Sequence, residues 1–235
     1  NVTANGVITF TPTTHFNGTV TIPYVITDGT TTATANEVIT VTPVNDVPVD
    51  PNDTNTVTED TPLTVAANAG LLVGATDPEN NTLTITGYTI AGIDGTQGVG
   101  SPVTIPNVGL LTINADGSYS FTPALNYTGT IPVATYTISD GNGGTDTSTL
   151  TLTMVPVNDV PVAVNDTYTM AEDGTPVTLT PLLADTDVDG DTLSVVSING
   201  TPLTPGTAQS IPVANGIVNV TANGVITFTP TTHFN

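Results

Sequence analysis

Acidic side chains are concentrated in a few short loops of this sequence rather than spread along it. The densest group is one loop in which Asp185, Asp187, Asp189 and Asp191 alternate around Gly190. Hard oxygen ligands spaced by two residues, with a glycine that permits a sharp turn, are what Ca²⁺ coordination requires. We therefore expect this loop to bind calcium.

A second acidic loop reads Asp77-Pro78-Glu79-Asn80. Two carboxylates about 4 Å apart repel each other by about 4 kcal/mol at an effective dielectric constant near 20. Because the chain contains no Lys and no Arg, a bound divalent cation is the natural compensation. The alternative is that these residues only build turns, since Asp and Asn side chains hydrogen-bond the local backbone. The turn interpretation is favoured for the isolated residues Asp94, Asp116 and Asp146.

The charge balance excludes several classes of function. The 235 residues include 21 acidic side chains and no basic ones, so the chain lacks the usual means of binding phosphate, and we expect no nucleic-acid partner. A polybasic membrane anchor is also excluded, no apolar run has the length of a spanning helix, and no leader peptide is expected, so we predict no direct membrane contact. The absence of Cys excludes disulfides, thiolate zinc sites and a thiol nucleophile.

The sequence does not suggest an enzyme. No Ser-His-Asp set or phosphate-binding loop is recognisable, and the paired carboxylates recur once per repeat, which fits a structural ion better than an active site. His15 and His233 occupy the same position of a repeat, where we expect a strand or turn residue.

The elements that must position these loops are β-strands. In "GTVTIPYVITDG" at residues 18–29, Val20, Ile22, Tyr24 and Ile26 fall on one face and mostly Thr on the other, which is the period of a half-buried strand. Similar runs follow at intervals of about ten residues, separated by turn pairs such as Asn5-Gly6, Asp116-Gly117, Asn215-Gly216 and Asn223-Gly224. The pattern predicts an all-β protein of β-sandwich domains.

Internal repeats define the domain organisation. Residues 1–17 are identical to residues 219–235, and "TPVNDVPV" at 42–49 returns as "VPVNDVPV" at 155–162. These matches predict that 50–162 is one complete repeat unit (type A), that 163–235 is the first part of a type B unit, and that 1–49 is the closing part of a type B unit.

Two interpretations of the split units remain open. The chain is an excerpt of a continuous tandem array, which we favour, or separate chains join head to tail. In the second case residues 1–49 of one copy complete residues 163–235 of the next by strand addition. In either case the partner is a neighbouring copy of the same sequence, because an incomplete sandwich exposes strand edges and an apolar face.

The sequence resembles the cadherin-like tandem repeats of giant bacterial surface adhesins of the RTX type and of biofilm matrix proteins. The resemblance is carried by "YTISDGNGGTDTSTLTLTMVPVNDVPVA", "AEDGTPVTL" and "ADTDVDGDTLSVVSI" and covers nearly the whole chain. It implies tandem Ig-like, cadherin-like antiparallel β-sandwich domains with calcium at the junctions between successive domains.

The resemblance also implies one set of calcium ligands for each junction. At the first junction the implied ligands are Asn45 and Asp46 of the linker with Asp77, Glu79 and Asp140 of the following domain. At the second they are Glu59, Asn158, Asp159, Asp187 and Asp189. In the type B unit, Asp28 would play the role of Asp140, and Glu172 would play the role of Glu59. The Asp-Arg-Glu element of the family is missing, and Pro43 and Pro156 stand where its linker begins with Asp, so fewer ions per junction are expected.

These observations lead to one expected function and one alternative. We expect an extracellular, cell-surface repeat module that forms a calcium-stiffened rod or filament of a bacterial adhesin or biofilm matrix protein. The alternative is a carbohydrate- or surface-binding module of an adhesin, which would need an exposed aromatic platform. With five Phe, six Tyr and no Trp, the chain has few residues from which to build one.

Overall fold

The computed structural model describes residues 6–233, so Asn5 of the predicted Asn5-Gly6 turn lies outside the described residues. The chain divides into two compact units, Asn1–Pro156 and Val157–Asn235. The described residues form strands, turns and one 3-10 helix of three residues, with no α-helix among them. The prediction of an all-β protein is confirmed. The exact repeat boundaries stay a prediction.

Within residues 6–156, ten strands belong to the first unit. They are β1 (Gly18–Thr27), β2 (Thr32–Val41), β3 (Asp53–Thr58), β4 (Leu63–Val65), β5 (Thr84–Ile90), β6 (Val103–Ile105), β7 (Gly109–Ile113), β8 (Tyr119–Pro123), β9 (Ala134–Ser139) and β10 (Thr145–Val155). The 3-10 helix covers Ala67–Ala69, between β4 and β5.

Strands β3 to β10 build a complete β-sandwich. Its sheets have the strand orders β3-β10-β9-β5 and β4-β8-β7-β6. Alternation of apolar residues sends one face of each sheet inward, so Tyr136 and Ile138 of β9 are buried together with Leu111 and Phe121 of the opposite sheet. One continuous apolar core therefore joins the two sheets, as the sequence pattern predicts.

The strand pairs of the described residues are antiparallel with one exception, β3 beside β10. Asp53 lies opposite Leu150 and Thr58 lies opposite Val155, so the first strand runs in the same direction as the last. The chain consequently enters the sandwich at one end and leaves it at the other. Strand β10 covers ten residue steps from Thr145 to Val155, so its two ends lie about 33 Å apart.

Strands β1 and β2 form an antiparallel hairpin that precedes the complete sandwich. Their register runs from Gly18 opposite Val41 to Thr27 opposite Thr32. The hairpin is a two-stranded sheet, with no further strand hydrogen-bonded to it within residues 6–233.

Within residues 157–233, six strands belong to the second unit. They are β11 (Val177–Leu179), β12 (Ser197–Ile198), β13 (Thr201–Pro202), β14 (Gln209–Val213), β15 (Gly216–Val220) and β16 (Ile226–Pro230). Strands β11, β16, β15 and β14 form a sheet of the same order as β4-β8-β7-β6. In the turn between β14 and β15, Asn215 takes the left-handed conformation with φ 62°.

A buried polar cluster lies inside the complete sandwich, close to where the chain enters it. The Tyr136 hydroxyl lies 2.7 Å from Asp50 Oδ2 and 2.6 Å from Asp53 Oδ2. A hydroxyl has one proton to donate, so it serves one carboxylate at a time. Burial raises the pKa of both carboxyl groups, and for Asp50 the charges of Asp53 and Asp146 raise the pKa further.

Because its pKa is raised, the charged Asp50 carboxylate destabilises the folded chain at neutral pH. A carboxyl that holds its proton more tightly in the folded than in the unfolded chain contributes stability at low pH. That contribution is lost as the pH rises from the unfolded value of 3.8 through the raised pKa.

We predict that Asp50→Asn raises the free energy of unfolding at pH 7, because it removes a buried charge and keeps an acceptor for the Tyr136 hydroxyl. The expected gain in the free energy of unfolding is about 1 kcal/mol, the usual contribution of a single buried polar interaction. This gain disappears below pH 3.8. Urea unfolding at pH 7 and pH 3 measures it, with the exposed Asp94→Asn as control. A loss of stability at pH 7 would contradict this explanation.

Candidate metal centre at the first linker

The acidic loop after β4 is organised around a buried carboxylate. Asp77 is 9 % exposed, and its Oδ1 accepts hydrogen bonds from the backbone N–H groups of Glu79 (3.1 Å) and Asn81 (2.9 Å). Asn80 takes a left-handed conformation with φ 59°, which closes the turn. Within residues 6–233, no hydrogen-bond donor reaches the buried second oxygen, Asp77 Oδ2.

The linker between the hairpin and the sandwich is held against this loop. The backbone N–H of Asp46 donates to Glu79 Oε2 at 3.1 Å, and the side-chain amide of Asn45 donates to Asp140 Oδ2 at 2.6 Å. Val49 and Thr76 then exchange two backbone hydrogen bonds of 2.8 Å each. Of the five residues that the resemblance implied for the first junction, Asp46 contacts Glu79, Asn45 contacts Asp140, and Asp77 lies in the same turn as Glu79.

Asp140 is positioned by the loop between β9 and β10. Its carboxylate accepts backbone hydrogen bonds from Asn142 (2.7 Å) and Gly144 (3.0 Å), and the residue is 4 % exposed. The hydrogen bond from Asn45, followed by those from the backbone, lowers the pKa of Asp140 below its usual range. The group is therefore an ionised ligand candidate at neutral pH.

A histidine joins this cluster, which sequence reasoning missed. His15 Nδ1 lies 2.5 Å from Asp46 Oδ2, and His15, Asp46 and Glu79 place one ligand atom each within 4.8 Å of one another. This hydrogen bond is the largest cause that lowers the pKa of Asp46. His15 does lie in a turn, with φ 58°, as expected from its type and context. No local pattern signals the contact, because 31 residues separate the two side chains.

A second linker, at Asn158 and Asp159, makes hydrogen bonds within the second unit that match those of the first linker. Asp159 N donates to Asp189 Oδ2 at 2.7 Å, as Asp46 N does to Glu79, and Asn158 Nδ2 donates to Asp159 O at 2.7 Å. Val162 and Thr186 form the matching backbone bridge.

The loop after this linker contains the densest acidic group of the sequence. Asp187, Asp189 and Asp191 place ligand atoms within 4.8 Å of one another, with Asp187 Oδ1 accepting the N–H groups of the other two. Asp185 has a different role, because its Oδ1 accepts the N–H of Val164 at 2.8 Å.

The remaining candidate ligands lie apart from the first linker. Asp28 lies at the tip of the β1–β2 hairpin, where its carboxylate binds the backbone and hydroxyl groups of Thr30 and Thr31. Glu59 follows β3 and is 3 % exposed, with its N–H donating to Val155 O. Glu172 groups with Asp173 and His233, all three exposed.

The donor set at the first linker fits a calcium ion. The set consists of carboxylates and one amide, which are the hard oxygen donors that calcium prefers, and Asp77 Oδ2 is buried with no other hydrogen-bond partner among the described residues. Asp46, Asp77, Glu79 and Asp140 would hold the ion together with Asn45. No Lys or Arg exists in the chain to neutralise these four charges.

The family model of the bacterial cadherin-like domain matches residues 45–156 and 158–235, and a cadherin-like domain model matches residues 1–42. The chain therefore belongs to the bacterial cadherin-like domains, which are typically non-catalytic structural modules, are usually extracellular and generally bind calcium. The β-sandwich predicted from the resemblance is confirmed. Among the described residues there is no helix of the length and hydropathy that a membrane span needs.

The solved structures that resemble this chain include two distant ones. An endo-fucoidan hydrolase of glycoside hydrolase family 107 is 16 % identical over 61 % of this chain and 23 % of its own, with a TM-score of 0.25. Domains 4–9 of the surface layer protein SbsC are 12 % identical over 93 % of this chain and 32 % of their own, with a TM-score of 0.26. The chain thus spans a third or less of either protein. No curated protein matches the sequence.

Gly144 supplies a test of the local architecture. A Cβ at this position would collide with Asp140 Oδ2 and would lie 3.0 Å from the carbonyl oxygen of Asp46. We predict that Gly144→Ala displaces Asp140 from the linker and lowers the free energy of unfolding by about 1–3 kcal/mol, the usual effect of overpacking.

Thermal or urea unfolding without added metal measures this effect. The matched control is Gly98→Ala, since a Cβ on Gly98 meets nothing within 4 Å. Equal stability of the two variants would show that the Asp140 loop does not need the close approach of the linker.

Proposed function

We propose that this chain is a structural section of an extracellular bacterial rod or filament, as in adhesins and biofilm matrix proteins, and that calcium at its linkers makes the rod stiff. The observation that carries the proposal is the buried, unpartnered Asp77 Oδ2 beside three further carboxylates of the linker and its adjoining loops. Membership in the bacterial cadherin-like domains supports the same function.

Calcium would act as the missing counter-charge. Without an ion, Asp46, Asp77, Glu79 and Asp140 repel one another, and this repulsion opposes the hydrogen bonds of Asn45 and of the Asp46 backbone N–H that hold the linker to the sandwich. A divalent ion supplies two positive charges at this point and connects ligands from three separate segments. Calcium at the millimolar concentrations typical outside cells is sufficient for sites of this kind.

The alternative role in carbohydrate binding has less support. Its aromatic platform would have to be exposed, but Tyr88, Tyr119, Tyr136 and Phe121 are all buried in the core of the complete sandwich. Tyr168 is 41 % exposed and Phe16 is 36 % exposed. The two residues belong to different units, so they do not form a pair of exposed rings within one unit.

We predict that calcium raises the melting temperature of the chain and that Asp77→Asn abolishes most of this gain. The amide keeps Oδ1 as acceptor for the turn N–H groups but removes the charge at Oδ2. An ion at a hundredfold excess over its Kd stabilises by about 2.7 kcal/mol. Calorimetry with calcium and with a chelator measures the difference.

Asp116→Asn is the matched control, because Asp116 is an exposed turn residue whose carboxylate binds only Ser118. It should retain the full calcium response. An equal response of Asp77→Asn and the wild-type chain would contradict the assignment of the site.

The proposed stiffening is tested separately by solution scattering. We predict that a chelator increases the flexibility of the chain, seen as a rise of the normalised Kratky plot at high angle, because the charged linker loses its central ion. Identical scattering curves with calcium and with chelator would refute the mechanical role, even if the ion binds.

A further inference from the structure

Each of the two histidines of the chain lies beside one Asp and one Glu, with one ligand atom of each residue within 4.8 Å of the others. The two groups are His15 with Asp46 and Glu79, and His233 with Glu172 and Asp173. An imidazole nitrogen beside two carboxylates is a mixed nitrogen and oxygen donor set. Calcium, which takes oxygen ligands, does not account for the imidazole.

The backbone at these positions does not require a histidine either. His15 and His233 take left-handed conformations with φ 58° and φ 60°, and Asn126 of the complete sandwich takes the same conformation with φ 55°. The three positions match in sequence, since "FTPTTH" at 10–15 and 228–233 corresponds to "FTPALN" at 121–126. Asn and His are both enriched in this conformation. An asparagine therefore serves the turn as well as a histidine does.

The imidazole of His15 lies against the first linker. Its Nδ1 is 2.5 Å from Asp46 Oδ2, and the backbone N–H of Asp46 donates to Glu79 Oε2 at 3.1 Å. The side chains of His15 and Asp46 are 48 % and 37 % exposed, so both are open to ions from the solvent. Three donors from three separate segments thus meet at an accessible position.

A buried carboxylate adjoins these donors. Asp77 is 9 % exposed and lies in the same turn as Glu79, whose N–H it accepts at Oδ1. Its Oδ2 is buried and has no hydrogen-bond partner among residues 6–233. The negative charge of Asp77 therefore adds to the attraction that the group exerts on a cation.

The donors around His15 are those that zinc takes in proteins. Zn²⁺ binds His nitrogen and carboxylate oxygen at about 2.0–2.2 Å, and an accessible site with three protein ligands leaves the fourth position to water. Two ligand atoms of a tetrahedral zinc ion are about 3.3 Å apart. The contact between His15 and Asp46 therefore opens by about 1 Å when zinc replaces the hydrogen-bonded proton.

We propose that His15, Asp46 and Glu79 form a zinc site at the first linker, with water as the fourth ligand. Zinc at this site connects the turn of His15, the linker and the acidic loop of the sandwich. The site prefers zinc to magnesium, because imidazole suits zinc whereas magnesium takes oxygen ligands in octahedral geometry.

Zinc at this site competes with calcium, because Asp46 and Glu79 also belong to the proposed calcium site. This part of the inference rests on the proposed function, whereas zinc binding itself does not. Two divalent ions at the same carboxylates repel each other, so the occupancy of one lowers the affinity for the other. The first linker therefore responds to the ratio of the two ions.

The acidic loop of the second linker has a different donor set. Its group consists of Asp187, Asp189 and Asp191, which offer carboxylate oxygens alone. Without an imidazole this loop has no preference for zinc over other divalent ions that take oxygen ligands. Zinc therefore distinguishes the first linker from this loop.

The group around His233 is a weaker site for zinc. Asp173 is occupied at both oxygens, since Oδ1 accepts the backbone N–H of His233 at 2.9 Å and Oδ2 lies 3.2 Å from His233 Nδ1. The His233 side chain is 81 % exposed, and Glu172 and Asp173 are exposed as well. Water therefore competes for this group more strongly than for the group of His15.

Calorimetric titration of the whole chain with zinc chloride, in the absence of calcium, tests the site. We expect one tight site, whose affinity falls by at least about tenfold in His15→Asn, because even the loss of an indirect partner of a metal ligand costs about 10–100-fold. Asparagine keeps the turn, as Asn126 shows, and removes the ring nitrogen. His233→Asn is the matched control and should retain the affinity. Unchanged affinity in His15→Asn, or an equal loss in both variants, would overturn the proposal.

Nitrogen NMR of the imidazole rings identifies the ligand directly. The chain has two histidines, so His233→Asn leaves the ring signals of His15 alone. One equivalent of zinc should shift a ring nitrogen of His15 in the wild-type chain and leave the ring of His233 unchanged. A shift of the His233 ring before that of His15 would overturn the assignment.

Repeating the zinc titration in calcium separates this proposal from the proposed function. Calcium at ten times its Kd should weaken zinc binding by about tenfold, and magnesium at the same concentration should not. Zinc binding that calcium leaves unchanged would overturn the competition. Absent zinc binding with an intact calcium response of the wild-type chain would overturn the zinc site alone. Zinc binding without any calcium response would overturn the proposed function alone.

Discussion

The structure depends on how carboxylates are compensated in a chain that has no Lys or Arg. Each acidic loop uses the same device, in which one carboxylate oxygen binds the backbone N–H groups of its own turn. Asp77, Asp140 and Asp187 all do this, and the linkers then add an N–H from Asp46 or Asp159. Hydrogen bonds of this kind hold a carboxylate in place but do not cancel its charge. In the proposed function, the acidic linker is therefore the point at which a bound cation would act on the fold.

The second constraint is that a sandwich must bury both of its sheets. The first unit satisfies it, because β3 beside β10 completes a sheet that covers β4-β8-β7-β6. The parallel pairing also sends the entering and leaving chain to opposite ends, which is the geometry required for units joined in series. In the second unit the matching sheet β11-β16-β15-β14 is present, and residues 166–171, which correspond to β3, form no strand.

Much of the fold was predictable from the sequence because its signals are local. Alternation in residues 18–27 and 145–155, with turn residues such as Asp116-Gly117 between strands, specifies strands and hairpins directly. The loop Asp77-Pro78-Glu79 and the Asn45-Asp46 linker were also recognisable, since both recur in the second unit. The structure brings these segments together as the resemblance implied.

The features that could not be predicted depend on contacts between distant residues. The His15–Asp46 contact spans 31 residues, and the Tyr136 hydroxyl meets Asp50 and Asp53 more than 80 residues away. The hydrogen bond from Val164 N to Asp185 Oδ1 also joins residues that the local pattern does not connect. The alternation of apolar and polar residues is the same whatever these side chains contact. The partner of each side chain is therefore determined by the three-dimensional packing alone.

The most direct measurement is a high-resolution crystal structure of the chain grown with calcium. We expect a strong density peak about 2.3–2.6 Å from Asp77 Oδ2, the distance of a calcium–oxygen bond, with Asp140 and Glu79 as further ligands. An ordered water hydrogen-bonded to Asp77 Oδ2 in place of that peak would contradict the account.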